Sequence, residues 1–157
     1  MMTEMEKRIY VAGASAQIEL IEKYRDMLRA AGWIITFDWA AKVREVGNAS
    51  PDDPEIRRGA ALADLKGVAD ASVLWLVQPD ATSTSTGAWV ELGAAITRRE
   101  IYRKCVRDWD EASVQDVIVV ASGSSKKCIF SDLADYRFQS HDDALEYIVK
   151  DLGRTAG

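Results

Sequence analysis

The sequence predicts a doubly wound α/β domain, a mostly parallel sheet of about five strands with helices on its faces. Two patterns carry that expectation. Short apolar runs rich in β-branched residues alternate with helical stretches, which is the order of a parallel sheet. Ser72 to Val77 (SVLWLV) is apolar at nearly every position, as in a strand covered on both faces. The 157 residues suit one domain, and no linker, repeat or low-complexity tract divides residues 1–157.

The elements follow in order. Arg8 to Ala12 (RIYVA) reads as a buried first strand ending at Gly13. Ile18, Leu20, Ile21, Tyr24 and Leu28 then recur at helical spacing, with Ser15 as the expected N-cap and Gly32 as the stop. Trp33 to Phe37 reads as a second strand. Asp38 to Asp53 is expected to be a long loop over a site, or a crossover. Asp52 or Asp53 caps the next helix, with Pro54 in its first turn. That helix runs to about Val68 and is rich in small residues suited to close packing on a sheet. After the central strand, Gln78 to Thr86 forms a polar loop. A helix opens at Gly87 or Ala88 and runs to about Arg99. Cys105 to Asp116 is ambiguous. Val117 to Ala121 is a fourth strand, Gly123 to Lys127 a loop and Tyr136 to Phe138 a short edge strand. Ser140 caps the last helix. The order β-α-β-α-β-α-β-(β)-α is that of Rossmann-like and flavodoxin-like sheets, connected by right-handed crossovers. Ligands of such sheets bind beyond the carboxyl ends of the strands.

Bulk properties remove several classes. The formal charge of −5 opposes a duplex nucleic-acid surface, which needs a basic face. It leaves room for a small nucleotide held by backbone N–H groups. No run reaches the ~18 apolar residues of a membrane span, so no membrane partner is expected. Met1 to Arg8 is charged and has no apolar signal core, so the expected location is cytoplasmic. Cys105 and Cys128 lack metal-site spacing and read as reduced thiols. The single histidine, His141, reads as a local residue near a helix start. No cofactor and no metal are expected.

The strand ends hold the candidate site. Gly13-Ala-Ser15 follows the first strand but lacks the GxGxxG or GxxxxGK[ST] pattern of a phosphate loop. Asp80 follows Pro79 in a turn, where Asp is ordinary turn chemistry. Ser85 and its neighbouring hydroxyls precede a helix N-terminus, a position that holds anions. Glu91 lies one turn into that helix, where the dipole favours a carboxylate. Small residues, Gly87, Gly93 and Ala94, leave room around it. Asp64 is a poor helix-interior residue, and its simplest reading is a solvated face beside Arg57 and Lys66. It also sits several turns into its helix, whereas the site is expected near helix starts. Arg98, Arg99, Arg103, Lys104 and Arg107 read as dipole complementation plus solubility.

Taken in order, Ile9-Tyr10-Val-Ala-Gly13, Asp64-Leu-Lys-Gly-Val-Ala-Asp70 and Gly87-Ala-Trp-Val-Glu91-Leu-Gly93-Ala-Ala form an ordered set. It resembles the nucleoside 2-deoxyribosyltransferase family and the related 2′-deoxynucleoside 5′-phosphate N-hydrolases. The last segment is similar to their G-x-x-x-E-L-G-x-A signature. The resemblance implies Glu91 as nucleophile on the anomeric carbon, Asp64 as proton donor or hydrogen-bond partner of the leaving base, and Tyr10 as the residue orienting Glu91. Gly13, Ser15, Asp80, Ser85 and Gly87 complete the implied substrate-binding set. The transferases carry an acidic residue where Ser85 stands. Serine resembles the hydrolases, in which it helps to bind a 5′-phosphate. The hydrolases carry an arginine in the first-strand loop, and Ala14 to Gln17 has none, so the sequence falls between the branches. The expected function is N-glycosidic cleavage or transfer on a nucleoside or its 5′-monophosphate. The alternatives are a non-catalytic nucleotide-binding or sensing module, and cleavage of a nicotinamide dinucleotide. By the same resemblance a homo-oligomer is expected, with Asp38 to Asp53, Trp39 and Trp89 as candidate surface.

Overall fold

The computed structural model describes residues 6–47, 51–80, 82–83, 85–106, 116–124 and 128–155. Five strands form one sheet: β1 (Arg8–Ala12), β2 (Ile34–Ile35), β3 (Val73–Val77), β4 (Ile118–Ser122) and β5 (Tyr136–Phe138). Their order is β2-β1-β3-β4-β5, and every neighbouring pair is parallel. The helices are α1 (Ile18–Ala30), α2 (Trp39–Val46), α3 (Pro54–Asp70), α4 (Thr86–Ile101) and α5 (His141–Tyr147), with shorter helical turns between and after them.

The period of two in a strand sends alternate side chains to opposite faces, and β1 shows the consequence. Ile9 and Val11 join Ile21, Tyr24 and Leu28 of α1 and Ala144, Leu145 and Ile148 at the last helix in one core layer. Tyr10 and Ala12 join Val68 of α3 and Ala88, Leu92 and Ala95 of α4 in the other. All five residues of β3 are buried, as the apolar run requires of a central strand.

Several boundaries differ from the sequence expectation. Asp38 to Asp53 is not a loop throughout, because α2 occupies Trp39–Val46. Asp38 caps it by accepting from the Ala41 amide at 3.0 Å, and Gly47 ends it at φ +74°. Asp38 also receives Arg25 at 3.2 Å and Arg29 at 2.8 Å, which ties α2 to α1. The second strand is only Ile34–Ile35, since Trp33 turns into the α1 core layer and Phe37 packs against the opposite one. Ser15 is not an N-cap: Ser15–Gln17 form a 3-10 turn ahead of α1 and no side chain caps either. Asp53 does cap α3, with Pro54 in the first turn, and α3 continues to Asp70. α4 opens at Thr86, a residue earlier than expected, because Ser85 accepts from the Ala88 amide. A 3-10 turn at Ile129–Leu133 was not foreseen.

The basic cluster on α4 is structural. Arg98 donates to the Val68 and Ala69 carbonyls at 2.9 and 2.7 Å and so satisfies the end of α3. Arg99 is buried rather than solvated. It donates to Leu133 O and to Asp135, and Asp135 also accepts from the Val119 amide and from Arg103. This fixes the lead into β5 against α4. Arg107 lies outside the described residues, as does the Cys105 side chain. His141 opens α5 as expected, and its Nδ1 lies 2.7 Å from Ser122 Oγ. Trp75 Nε1 donates to the same hydroxyl. The Ser122 hydroxyl keeps its own hydrogen and a second lone pair, either of which pairs with the imidazole Nδ1. No described helix is long and apolar enough to cross a membrane.

Candidate active site

The strand order reverses between β1 and β3, and their carboxyl ends open the crevice in which such sheets bind ligands. Gly13 lies on one side of this switch point and the loop leading to α4 on the other. The two sides touch, because the Ser85 hydroxyl donates to the Gly13 carbonyl at 3.4 Å. A side chain on Gly13 would meet Ile21 Cδ1 at 2.5 Å, so the end of the Ile21 side chain would have to move to admit one.

Three side chains converge below this rim. Tyr10 points from the middle of β1 into the layer of α3 and α4 and is wholly buried. Its hydroxyl lies 2.9 Å from Glu91 Oε1 and 2.9 Å from Asp64 Oδ1. Glu91 comes from the second turn of α4 and is 8% exposed. Asp64 comes from α3 and is half-buried, so the solvated-face reading fails. Its distance from a helix start is bridged by the phenol, which carries a hydroxyl from the sheet to α3.

Gly67, which the sequence reading passed over, makes this convergence possible. A Cβ there would lie 2.6 Å from Phe37 Cβ and 2.9 Å from Tyr10 Cδ2. The helix thus lies directly on the Tyr10 ring. The available signal was spacing, since a glycine three residues after Asp64 shares its helix face. Gly67→Ala is expected to cost about 1–3 kcal/mol through overpacking, hence a fall in Tm of several °C in a melt followed by circular dichroism. The ring that must yield carries the central hydroxyl, so the contacts of Glu91 and Asp64 should shift with it.

The electrostatics follow from burial. Glu91 has a pKa pushed up to about 8, first by burial and then by the nearby Asp64 charge, against the hydrogen bond from Tyr10. Asp64 is also raised by burial, partly offset by Tyr10. Burial and the two carboxylates raise Tyr10, so the phenol keeps its proton. One phenol can donate only one hydrogen. The second 2.9 Å contact therefore needs a hydrogen from a carboxyl group, and the pair holds one proton between them. Such a pair titrates as a unit.

The remaining candidates divide. Gly87 faces Glu91, since a Cβ there would be 3.9 Å from Oε1. Tyr10, Asp64, Glu91 and Gly87 thus lie together, and Ser85, bonded to Gly13, caps the helix that carries Glu91. Ser15 is exposed on its 3-10 turn and makes no contact with these residues among the described hydrogen bonds. Asp80 is exposed and spends its carboxylate on its own loop, accepting from the Thr82 amide and hydroxyl and from the Ser83 amide. Those bonds hold its pKa down to about 2. A separate concavity lined by Val11, Ile21, Arg25, Phe37, Asp38 and Trp39 includes none of the three converging residues. Among the described residues no group of three or more His, Cys, Asp or Glu side chains is placed to hold a metal ion.

No model of a known protein family matches the chain, and comparison with curated proteins gives no match. The molecule is a parallel five-stranded α/β sheet with helices on its faces.

Proposed function

We propose that this chain cleaves the N-glycosidic bond of a nucleoside or nucleoside 5′-monophosphate, and that it is a distant relative of the nucleoside 2-deoxyribosyltransferases and their hydrolase branch. One observation carries the reading: two carboxylates from different helices meet on a single buried hydroxyl at the switch point of the sheet. Carboxylates held this close suit a retaining reaction. An inverting pair stands about 6.5–9.5 Å apart to admit a water.

In the proposed reaction Glu91 ionises and its oxygen forms a bond to C1′. The bond from C1′ to the base nitrogen breaks, its electron pair stays on the nitrogen, and Asp64 supplies the proton that neutralises the leaving base. Water or a second base then attacks C1′, gives a proton to Asp64 and releases Glu91. Ser85, Gly87 and the first amides of α4 lie toward Gly13, where a 5′-phosphate would meet N–H donors and the helix dipole. No cofactor is required by these steps. The same reading proposes a homo-oligomer, supported by exposed Leu62 and Leu65 on α3 and Val90 on α4. Trp39 is a poorer anchor for it, since its indole N–H is committed to the Val11 carbonyl at 2.8 Å.

The test is incubation with a panel of ribo- and deoxynucleosides and their 5′-monophosphates, with free base followed by chromatography. Base release that depends on Glu91 supports the proposal, and release confined to monophosphates selects the hydrolase branch. Exchange with an added nucleobase selects transfer. Tight nucleotide binding with no release from any member overturns it in favour of a binding module.

A further inference from the structure

We propose that Tyr10 is a proton bridge between Glu91 and Asp64, so that ionising the nucleophile and arming the acid are one event. The proposal rests on the reaction proposed above, but its geometry stands apart from any substrate. Glu91 Oε1, the Tyr10 hydroxyl oxygen and Asp64 Oδ1 form a chain of three oxygens with both links at 2.9 Å. Each link is a hydrogen-bond distance. The chain holds two hydrogens, one from the phenol and one from the carboxyl pair.

Two arrangements satisfy both links. In one, Glu91 is protonated and donates to Tyr10, which donates to ionised Asp64. In the other, Asp64 is protonated and donates to Tyr10, which donates to ionised Glu91. Moving both hydrogens along the chain converts the first into the second. The Glu91 O–H bond breaks as a bond forms to the phenol oxygen. The phenol O–H bond breaks as a bond forms to Asp64. The charge of the trio stays at one negative unit, and the phenol is neutral before and after.

The surroundings favour such a transfer. The groups acting electrostatically on Glu91 are Asp64 from α3 and Tyr10 from β1, and no cation among them fixes the proton on one side. Gly87, the neighbour on its own helix, has no side chain to intervene. Packing of Gly67 and Phe37 on the ring keeps the hydroxyl between the two helices. Burial disfavours a phenolate, so the two hydrogens move together. A proton held on Glu91 is on the wrong side for attack. The bridge corrects it without an exchange with solvent.

The experiment is a carboxyl carbon NMR titration of the full-length protein labelled at Glu and Asp, with Tyr10→Phe as comparison. In the wild type, the Glu91 and Asp64 signals should both move in each of two titration steps, as for one shared proton. In Tyr10→Phe each signal should move in its own step. Base release by that variant should lose about 10²-fold in kcat, with KM nearly unchanged and an altered pH profile. Independent single-site titration in the wild type would overturn the bridge even if base is released. So would a folded Tyr10→Phe protein that keeps the wild-type titration and pH profile. A shared proton in a protein that cleaves nothing would leave the bridge standing and remove only the proposed reaction.

Discussion

Glu91→Gln is expected to lower base release by at least about 10³-fold, the scale on which loss of a nucleophile acts. Substrate binding should change little, because the amide keeps the shape of the carboxyl group. The same substitution should stabilise the fold at alkaline pH. Glu91 is raised from its ordinary 4.5 to about 8 by burial and by Asp64. Below pH 4.5 the folded and unfolded chains both hold this proton, and the residue contributes no pH dependence. Between 4.5 and about 8 the unfolded chain releases it while the folded chain keeps it, so stability falls as pH rises. Glutamine does not titrate and escapes that loss. The variant should therefore gain on the wild type between pH 5 and pH 8, by about 1–3 kcal/mol or several °C in Tm. Thermal melts of both proteins at the two pH values check this. An equal difference at the two values would contradict a raised Glu91.

Asp64→Asn is expected to cost about 10²–10⁴-fold in kcat, the usual contribution of a general acid. The loss should depend on the leaving group. A natural base needs a proton as its bond to C1′ breaks, whereas a glycoside with an already acidic leaving group does not. The variant should therefore recover most of its rate on the activated substrate, while Glu91→Gln should recover none. Steady-state kinetics on both substrates separate the two roles. Equal loss on both substrates would show that Asp64 positions Glu91 and does not supply the proton. The pH profile of the wild type follows from the shared proton. Activity needs the pair singly protonated, so it should fall above about pH 8 as the last proton leaves. It should fall again in acid as Asp64 and Glu91 both become protonated.

Much of this was legible in the sequence because local pattern and tertiary need coincide. The central strand is buried on both faces and reads as an unbroken apolar run. Asp53 with Pro54, and Ser140, are side-chain caps that state where helices begin. The ordered motif at Tyr10, Asp64 and Glu91 named three residues that the fold does bring together. What was missed depends on contacts between distant segments. α2 was hidden because Gly47 to Pro51 reads as loop, although Asp38 and Gly47 mark both helix ends. The second strand is short because it has a partner on one side only, over two residues. Asp64 looked solvated because helical spacing does not say which face meets the sheet. The register that sets Tyr10 beside Leu74, and the glycine that lets α3 rest on its ring, decide that. Asp80 is a correct turn residue whose bonds close its own loop, so turn chemistry alone accounts for it.

The central claim is that the Glu91 carboxylate, released from its shared proton, bonds to the anomeric carbon of a nucleoside sugar. Intact mass and peptide mapping of protein quenched in acid during turnover test it directly. The panel member that releases base fastest should leave one sugar, with its phosphate if present, on the peptide carrying Glu91. Glu91→Gln should carry none. Base release at the wild-type rate by Glu91→Gln, or a sugar adduct on another residue, would contradict the account.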